Sequence, residues 1–326
     1  MQGSLGIIGK ISVKIAIQMD YIESINPKSD STLLLGIEAC RRGYEVFYYT
    51  PDKLTYKDGF ITAKAYPIQF FDDVSNYYKL GDEFVLDLRT LNVVLLRQDP
   101  PFDMNYLSTT YILEMLAPDV LVVNNPASVR NLPEKIFPTI FRQFMPPTLI
   151  SSDELEIKNF FTEHKDIILK PLYGHGGRAI LHLKDGDDNF NPLLEMIFSA
   201  NREPIIAQKF LPEVRTEDRR IILIDGEVAG VLGRVPEQGE IRANLRVGGI
   251  GAKAELTVKQ QEICEALRQP LKDNGLIFVG LDVIGDYLTE INITSPTGLR
   301  SINKLHGVQL ERNIWNAIEA KVKFCV

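Results

Sequence analysis

The sequence predicts a parallel α/β layer followed by an α+β region with antiparallel sheets. Over roughly the first 130 residues, short apolar segments alternate with helical ones, which is typical of a parallel sheet. Beyond that point, strands follow one another through short turns such as Asp225-Gly226. The length of 326 residues also exceeds the size, about 250–300 residues, at which a single hydrophobic core usually stops growing. More than one domain is therefore expected.

The elements of the first region are predicted from apolar runs and capping residues. A helix over 30–42 ends at Gly43, which stands where a C-terminal cap belongs. Lys57-Asp58-Gly59 lies between tyrosine and apolar residues and predicts a hairpin inserted into the layer. The other predicted elements are a helix over 106–116 and strands over 13–19, 44–50, 91–97 and 120–123.

The second region is predicted in the same way. Ser151 followed by Glu154 predicts a capping box that opens a helix to about residue 163. The stretch 235–252 contains several glycines and few large apolar residues, so we expect a mobile loop there. The other predicted elements are strands over 166–172, 179–183, 205–210, 219–224 and 227–233, a helix over 257–274 that Gly275 ends, a hairpin over 277–293 and a last helix over 309–323.

Composition excludes several classes of function. Thirty-six basic residues against 43 acidic ones give a net charge of −7, which does not favour nucleic acid as the main partner. The longest apolar stretches are strand-sized, and Lys10 and Lys14 interrupt the N-terminal one, so we expect no membrane span, no signal peptide and a cytoplasmic location. Three widely spaced cysteines argue against a disulfide framework and a cysteine zinc site.

A glycine-rich segment is the first candidate site; its sequence is Lys170-Pro171-Leu172-Tyr173-Gly174-His175-Gly176-Gly177-Arg178. Glycines let backbone amides converge on an anion, and Lys170 adds a charge at the end of the preceding strand. The residues that follow favour a strand, which does not fit a Rossmann dinucleotide site, and no P-loop motif occurs. A triphosphate site is one interpretation of the segment, and a surface hairpin turn is the other.

Polar residues of the last predicted hairpin are the second candidate. Glu290 and Asn292 are two residues apart and therefore share one face of a strand. A two-residue turn would place Asp282 opposite Thr289, whereas a three-residue loop over 285–287 places it opposite Glu290. The metal hypothesis requires the second register, because carboxylate and amide oxygens on one face suit Mg²⁺. The alternative is a solvated polar face.

Arginines are frequent around the predicted mobile loop. Planar guanidinium groups bind phosphates and carboxylates bidentately, although any single arginine is more often a solvated surface residue. The arginines are Arg219, Arg220, Arg234, Arg242, Arg246 and Arg300. The four histidines have no metal-ligand spacing and no nucleophile-elbow motif occurs, so zinc hydrolysis and a serine triad have no support.

Further motifs occur in a defined order along the chain. They are Arg41-Arg42-Gly43-Tyr44-Glu45, Arg97-Gln98-Asp99-Pro100-Pro101-Phe102-Asp103, Thr110-Tyr111-Ile112-Leu113-Glu114, Ile168-Leu169-Lys170-Pro171-Leu172, a run from Gly275 to Asp286, Leu288-Thr289-Glu290-Ile291-Asn292 and Thr294-Ser295-Pro296-Thr297. Together, from about residue 19 to the last helix, the chain resembles the bacterial glutathione synthetases of the ATP-grasp superfamily. The resemblance implies an N-terminal pre-ATP-grasp α/β domain over 1–130 and an ATP-grasp domain over 131–326.

Within the second domain, the resemblance implies two α+β subdomains, over about 131–209 and 210–326, with a lid loop over 235–252. The implied reaction is the ATP-dependent ligation of γ-L-glutamyl-L-cysteine to glycine, which gives glutathione, ADP and phosphate. Mg²⁺ is the implied ion, with Mn²⁺ as a substitute, and a homotetramer is the implied assembly. Two alternatives remain: another ATP-grasp ligase, for D-amino acids or protein glutamylation, and a non-catalytic nucleotide-binding module.

The resemblance also implies roles for individual residues. The nucleotide would contact Lys135, Lys170, Gly174, Gly176, Gly177, Gln208, Lys209, Phe210, Leu211 and Asp218. Arg220 and Arg234 would stabilise the transferring phosphoryl group, and Arg242 and Asn244 would close over it. The implied Mg²⁺ ligands are Asp282, Glu290 and Asn292, and the implied peptide-substrate residues are Ser295 and Arg300. Tyr173 and His175 depart from a relative that carries an acid and a methionine there, and residues 1–12 precede the usual start of the family.

Overall fold

The computed structural model describes residues 13–200, 203–237, 239–240, 242–243 and 248–322, and within them the strands form three sheets. The unusual leader expected over 1–12 lies outside the described residues. None of the described helices is long and apolar enough to cross a bilayer.

The first sheet has eight strands and combines a parallel core with antiparallel additions. Its strands are β1 (Lys14–Gln18), β2 (Glu45–Tyr49), β3 (Leu54–Lys57), β4 (Phe60–Phe70), β5 (Tyr78–Leu80), β6 (Phe84–Asp87), β7 (Val93–Leu96) and β8 (Leu121–Val123). The order β2-β1-β7-β8 is parallel throughout, and β4 pairs antiparallel with β2, β3, β5 and β6. The predicted parallel layer is confirmed.

Two helices connect these strands, α1 (Ser31–Arg41) and α2 (Met104–Glu114), and a third, α3 (Pro126–Asn131), follows β8. The Asp30 carboxylate caps α1 by accepting a hydrogen bond from the Leu33 amide at 2.6 Å. Gly43 ends the turn after α1 with φ of 79°, as predicted. The predicted hairpin is also confirmed, because Asp58 and Gly59 form the β3–β4 turn with φ of 49° and 84°.

The second sheet has four antiparallel strands in the order β11-β10-β12-β9. They are β9 (Thr148–Ser151), β10 (Asp166–Pro171), β11 (Leu181–Lys184) and β12 (Ile205–Lys209), with helices α4 (Glu154–His164) and α5 (Phe190–Ala200). Ile157, Leu169 and Leu194 belong to the hydrophobic cluster of this unit. The capping box predicted at Ser151 is wrong: Asp153, one residue before the helix, accepts a hydrogen bond from the Leu155 amide and caps α4, while Ser151 ends β9.

The third sheet has five antiparallel strands in the order β15-β14-β13-β16-β17. They are β13 (Asp218–Ile224), β14 (Glu227–Val235), β15 (Ile250–Lys253), β16 (Phe278–Ile284) and β17 (Tyr287–Asn292), with helices α6 (Val258–Asp273), α7 (Leu299–His306) and α8 (Leu310–Glu319). Thr257 and Gln260 form the capping box of α6. The stretch expected to be a loop over 235–252 is partly β-sheet, because β15 pairs with β14 from Ile250 onward.

The last helix joins the first and third sheets. The indole of Trp315 in α8 is fully buried, and its Nε1 donates to the Leu35 carbonyl of α1 at 2.9 Å. Tyr44 packs edge-on against the same indole, with ring centroids 5.4 Å apart. One hydrophobic cluster therefore includes Ile15 of β1, Ile222 of β13 and Trp315.

Candidate active site

Two adjoining clefts share side chains of the third sheet. We call them the loop cleft, lined among others by Gly176 and Ser295, and the hinge cleft, lined among others by Lys170 and Phe210. Their open volumes are about 720 Å³ and about 700 Å³. Both clefts are lined by the charged side chains Arg234, Asp282 and Glu290.

The β16–β17 hairpin sets the register of the acidic residues. Asp282 lies opposite Glu290, as the metal hypothesis required. The three-residue loop invoked for that register is wrong, because the turn has only two residues, 285–286. Thr289 is instead an extra residue in β17, which shifts the register between the turn and Asp282. Its hydroxyl donates to the Asp282 carbonyl at 3.0 Å.

Asp282 is the centre of a buried network of charges. Its Oδ1 and Oδ2 accept hydrogen bonds from Nε and Nη2 of Arg220 at 2.6 and 3.0 Å. Arg234 reaches Asp282 Oδ1 at 3.1 Å and bonds Asp218 Oδ1 through Nε at 2.6 Å. The Asn292 amide nitrogen lies 3.3 Å from Asp282 Oδ2. Two carboxylates therefore balance two guanidinium groups in the wall that the clefts share.

The two carboxyl groups differ in ionisation. Burial would raise the pKa of Asp282, but Arg220 and Arg234 outweigh that effect and lower it to about 2. Burial raises the pKa of Asp218 to about 6, although Arg234 acts in the opposite direction. Asp282 is therefore the stably ionised anchor for both arginines.

Two buried lysines converge on Glu290. Lys170, at the end of β10, lies with its Nζ 3.5 Å from Glu290 Oε1. Lys135 lies 3.8 Å from the same oxygen and also donates to the Gly174 carbonyl. Burial lowers the pKa of Lys170. These ammonium groups connect the glycine-rich segment to the acidic hairpin.

The glycine-rich segment forms a turn between β10 and β11. Gly176, Gly177 and Ala179 have φ of 64°, 77° and 54°, in the left-handed region that favours glycine. Because Ala179 belongs to this turn, the strand predicted from residue 179 begins only at Leu181. Arg242 Nη1 donates to the Gly177 carbonyl at 3.3 Å, so one side chain of the predicted lid contacts the turn.

The end of β12 supplies a hinge of backbone groups. The amides of Lys209 and Phe210 donate to the carbonyls of Pro147 and Asp166, both at 3.0 Å. Among the described residues, the Leu211 amide has no hydrogen-bond acceptor. Away from its charged residues, one side of the hinge cleft is lined by Ile168, Ile180, Gln208, Val214, Ala243 and Ile284. An apolar slot with a free amide at its edge suits a planar heterocycle that carries an acceptor nitrogen.

The remaining predicted residues fall in different places. Ser295 lines the loop cleft, and its hydroxyl lies 3.4 Å from the Arg97 carbonyl. Arg300, at the start of α7, instead lies 3.2 Å from Asp72 in a partly exposed ion pair and lines neither cleft. Asn244, expected to close over the site, lies outside the described residues.

Three residues of the site received no role from the sequence. Glu134 lines the loop cleft and accepts hydrogen bonds from the chain that follows β17. Arg97 is buried at the end of β7 and donates to the Pro296 carbonyl at 2.9 Å. Tyr173 of the glycine-rich segment stacks on Phe102, with ring centroids 6.0 Å apart. Arg97 and Phe102 belong to one sequence motif, Arg97 to Asp103. That motif indicated the family, but it did not predict which residues the two side chains contact.

The β16–β17 hairpin carries the candidate donors for a divalent cation. Among the described residues, no three or more His, Cys, Asp and Glu side chains are grouped so that they could hold a metal ion by themselves. Asp282, Glu290 and Asn292 nevertheless offer hard oxygen donors on neighbouring register positions, which is the ligand chemistry of Mg²⁺. Arginine, lysine and amide donors already contact these oxygens, so an incoming ion would displace some of these donors. The residues fit an ion that takes its other ligands from phosphate and water.

The fold and the site define the class of protein. Solved structures with this fold include D-cycloserine synthetase DcsG, with a TM-score of 0.67 and 14% identity over 95% of this chain and 100% of that one. The ATP-grasp ligase PsnB, solved with Mg, ADP and a variant of its minimal precursor, has a TM-score of 0.63 and 17% identity over 96% and 99% of the two chains. These structures show the fold alone, but the model of an ATP-grasp domain also matches more than half of the chain, and the protein is an ATP-grasp ligase.

Sequence comparison identifies the family. The model of the prokaryotic glutathione synthetase N-terminal domain matches residues 13–130, and that of its ATP-grasp domain matches residues 134–307. A glutathione synthetase of Brucella melitensis biotype 1 is 50% identical over 95% of this chain and 100% of its own. One of Vibrio cholerae serotype O1 is 40% identical over 95% and 98%. The chain belongs to the prokaryotic glutathione synthetase family.

Proposed function

We propose that the protein joins γ-L-glutamyl-L-cysteine to glycine, with ATP as the energy source, and releases glutathione, ADP and phosphate. The observation that carries the proposal is the identity of 40–50% over nearly the whole chain to relatives named glutathione synthetase. The buried cluster of Arg220, Arg234, Asp282, Lys135 and Lys170 supports it, because such a site favours transfer of a phosphoryl group.

The hinge cleft would hold the nucleotide. Leu211 would donate its free amide to the adenine, with Gln208, Lys209 and Phe210 forming the rest of the hinge and Asp218 binding the ribose. Lys135 and Lys170 would bind phosphate oxygens, because their ammonium groups already face the point where the clefts meet. The backbone of the turn that contains Gly174, Gly176 and Gly177 would surround the terminal phosphate.

In the first chemical step, a carboxylate oxygen of the dipeptide attacks the γ-phosphorus, and ADP leaves. Arg220 and Arg234 would stabilise the charge that develops on the phosphoryl group. In the second step, the glycine amine attacks the acyl carbon and phosphate leaves. Arg242 and Asn244 would help to exclude water, since an acyl phosphate that meets water hydrolyses.

Asp282, Glu290 and Asn292 would hold Mg²⁺, with Mn²⁺ as a substitute. A bound ion would neutralise phosphate charge and orient the terminal phosphate. Binding at Asp282 and Asn292 would replace the present hydrogen bond between these two side chains. Ser295 is proposed to contact the dipeptide; Arg300 would have to exchange its Asp72 partner to do so.

The wider organisation follows from the same proposal. We place the protein in the cytoplasm, where a thiol substrate stays reduced, and expect small molecules as its substrates, without nucleic acid or membrane partners. A homotetramer is the proposed assembly. The units 131–209 and 210–326 would close on the nucleotide from two sides, with residues 1–130 beside the loop cleft.

The function is tested by measuring ADP release with defined substrates. We expect release only when γ-glutamylcysteine, glycine, ATP and Mg²⁺ are all present, with glutathione formed in equal amount. Release with pairs of D-alanine alone would contradict the proposal in favour of a D-amino acid ligase. Nucleotide binding without turnover on any acid and amine would indicate a non-catalytic module.

A second measurement concerns the ion. Glu290→Gln keeps the size of the side chain but removes the charge that two lysines and the ion would share, so we expect turnover to be abolished. Stability should fall as well, because the buried Lys135 and Lys170 lose their charged partner, so turnover is compared under conditions in which the variant is folded. The control is Glu262→Gln, an exposed substitution in α6 whose rate should match that of the unaltered protein. A near-normal rate for Glu290→Gln would remove Glu290 from the ligand set.

A further inference from the structure

The carboxylate of Glu134 lies beside the acidic hairpin, and its hydrogen bonds within the described part of the chain go to Ile293 and Thr294, directly after β17. We propose that Glu134 is a positioning residue, which holds the outer edge of β17 so that Glu290 and Asn292 keep their orientation toward the clefts. The inference rests on the proposed function only in taking Glu290 and Asn292 as ion ligands.

The hydrogen bonds of Glu134 follow the edge of the strand. Its own carbonyl accepts from the Ile291 amide at 2.9 Å. Its side-chain Oε1 accepts from the amides of Ile293 and Thr294 at 2.9 and 3.1 Å, and from the Thr294 hydroxyl at 2.8 Å. One residue therefore accepts from four donors that belong to three residues between positions 291 and 294.

These contacts replace a missing neighbouring strand. β17 is the last strand in the sheet order, with β16 on one side only. Backbone amides of a strand alternate between its two edges, so residues 291 and 293 present theirs to the same side. Glu134 lies on that side: its carbonyl accepts from the amide of residue 291, and its side chain accepts from the amide of residue 293. Without it, the segment that bears Glu290 and Asn292 would lose its fixed outer edge.

A second clamp acts on the same end of β17. Asn124 donates from Nδ2 to the carbonyls of Phe278 and Ile293, at 2.7 and 2.8 Å. Its Oδ1 accepts from the amides of Ile277 and Phe278, both at 2.9 Å. Ile293 is thus held through its carbonyl by Asn124 and through its amide by Glu134. Asn124 also holds β16, whereas Glu134 acts on β17 alone.

Glu134 also adjoins the lysine that contacts the glycine-rich turn. Lys135, the next residue, donates to the Gly174 carbonyl and lies 3.8 Å from Glu290 Oε1. The pair Glu134-Lys135 therefore fixes three parts of the site relative to one another: the turn, the Glu290 carboxylate and the end of β17. The acceptor oxygen of Glu134, rather than its charge, carries this function, because its partners are neutral amides and a hydroxyl.

The test compares Glu134→Ala with Glu134→Gln in the full-length protein. Two readouts need no ligase substrate: amide hydrogen exchange at Ile293 and Thr294, and the Mg²⁺ concentration for half-maximal ADP binding. Glu134→Ala should speed exchange and raise that concentration by about 10–100-fold, as losses of outer-shell partners commonly do. Glu134→Gln keeps the acceptor oxygen and should remain close to the unaltered protein in both readouts. The value of kcat should fall in Glu134→Ala more than KM for ATP rises.

The control is Glu311→Ala in α8, which removes a buried acid with a neutral partner, the Asn303 amide, at 2.6 Å. It should lower the stability but leave the Mg²⁺ requirement unchanged. If Glu134→Ala does not fold, Thr294→Val removes only the hydroxyl bond and should raise the Mg²⁺ requirement by a smaller factor.

Three results would overturn the proposal. An unchanged Mg²⁺ requirement in Glu134→Ala, or in Thr294→Val if the alanine variant does not fold, would show that Glu134 does not act on the ligands. Equal losses in Glu134→Gln and Glu134→Ala would show that the charge matters instead of the acceptor. A shift in Glu311→Ala as large as in Glu134→Ala would show a general loss of stability. If the protein does not ligate the proposed substrates, amide hydrogen exchange and ADP binding still test the role of Glu134, because neither measurement needs those substrates.

Discussion

The acidic hairpin and the glycine-rich turn face the same clefts but are built differently. Asp282 of the β16–β17 hairpin is held by three side chains: Asn292 of the same hairpin and the buried Arg220 and Arg234 of β13 and β14. The turn over 173–179 exposes backbone and depends on left-handed glycines, one lysine contact and one aromatic stack. The proposed cation side of the site is thus organised by side-chain charges, and the proposed anion side by backbone conformation. Substitutions should therefore reduce stability in the hairpin and affinity in the turn.

The largest expected effect is on stability in the hairpin. Asp282→Asn leaves Arg220 and Arg234 with Asp218 as their one remaining carboxylate in this network. Removing one member of a buried charge network typically costs about 3–5 kcal/mol, so the free energy of unfolding should fall by about that amount in urea titrations. Asp286→Asn, in the exposed turn of the same hairpin, is the control and should unfold like the original chain. If Asp282→Asn lowered the free energy of unfolding by less than about 1 kcal/mol, Asp282 would contribute no more than an exposed ion pair does, and the hairpin would not depend on its buried charges.

A smaller effect is expected in the turn, and on binding. Gly177 has φ of 77°, and an alanine there costs about 1–2 kcal/mol of backbone strain. If the turn must keep this conformation to bind phosphate, Gly177→Ala should raise the Kd for ATP about tenfold, measured by calorimetry. Gly59→Ala is the matched control, because Gly59 has φ of 84° in open space in the distant β3–β4 turn. Similar ATP affinity in the two variants would show that the backbone of the turn does not set binding.

The smallest expected effect concerns the stack between Tyr173 and Phe102. An aromatic pair contributes about 0.5–1.5 kcal/mol, so Tyr173→Ala should raise KM for ATP several-fold as the turn loses its contact with the N-terminal unit. Tyr173→Phe keeps the ring and should retain the original KM. If the phenylalanine variant were as impaired as the alanine variant, the hydroxyl rather than the stack would carry the effect.

Local patterns predicted most of the elements but not every register or contact. The parallel layer, the Asp58-Gly59 hairpin and helix α6 follow from apolar runs, capping residues and turn residues, which act over a few positions. The bulge at Thr289 could not be predicted from the sequence. Asp282 lies opposite Glu290 either with a three-residue loop or with a two-residue turn and one extra residue in β17, and the pattern does not distinguish the two.

Contacts between distant segments explain the other omissions. Glu134 is an ordinary charged residue in its own neighbourhood, and its partners lie about 160 positions further along the chain. The same holds for Tyr173, whose partner Phe102 belongs to another unit. Motifs were therefore sufficient to name candidate residues of the clefts. The residues that position those candidates could be identified only from the tertiary structure.

The burial of Trp315 against α1 has a consequence for synthesis. The ribosome completes the strands up to β8 long before it reaches α8, and at about 5–20 residues per second the intervening stretch takes about 10–40 s. During this interval Leu35 and its neighbours lack the indole that covers them in the finished protein. The first unit to emerge is therefore among the last to complete its core, and a chain interrupted before α8 would leave an apolar surface open to chaperones and proteases.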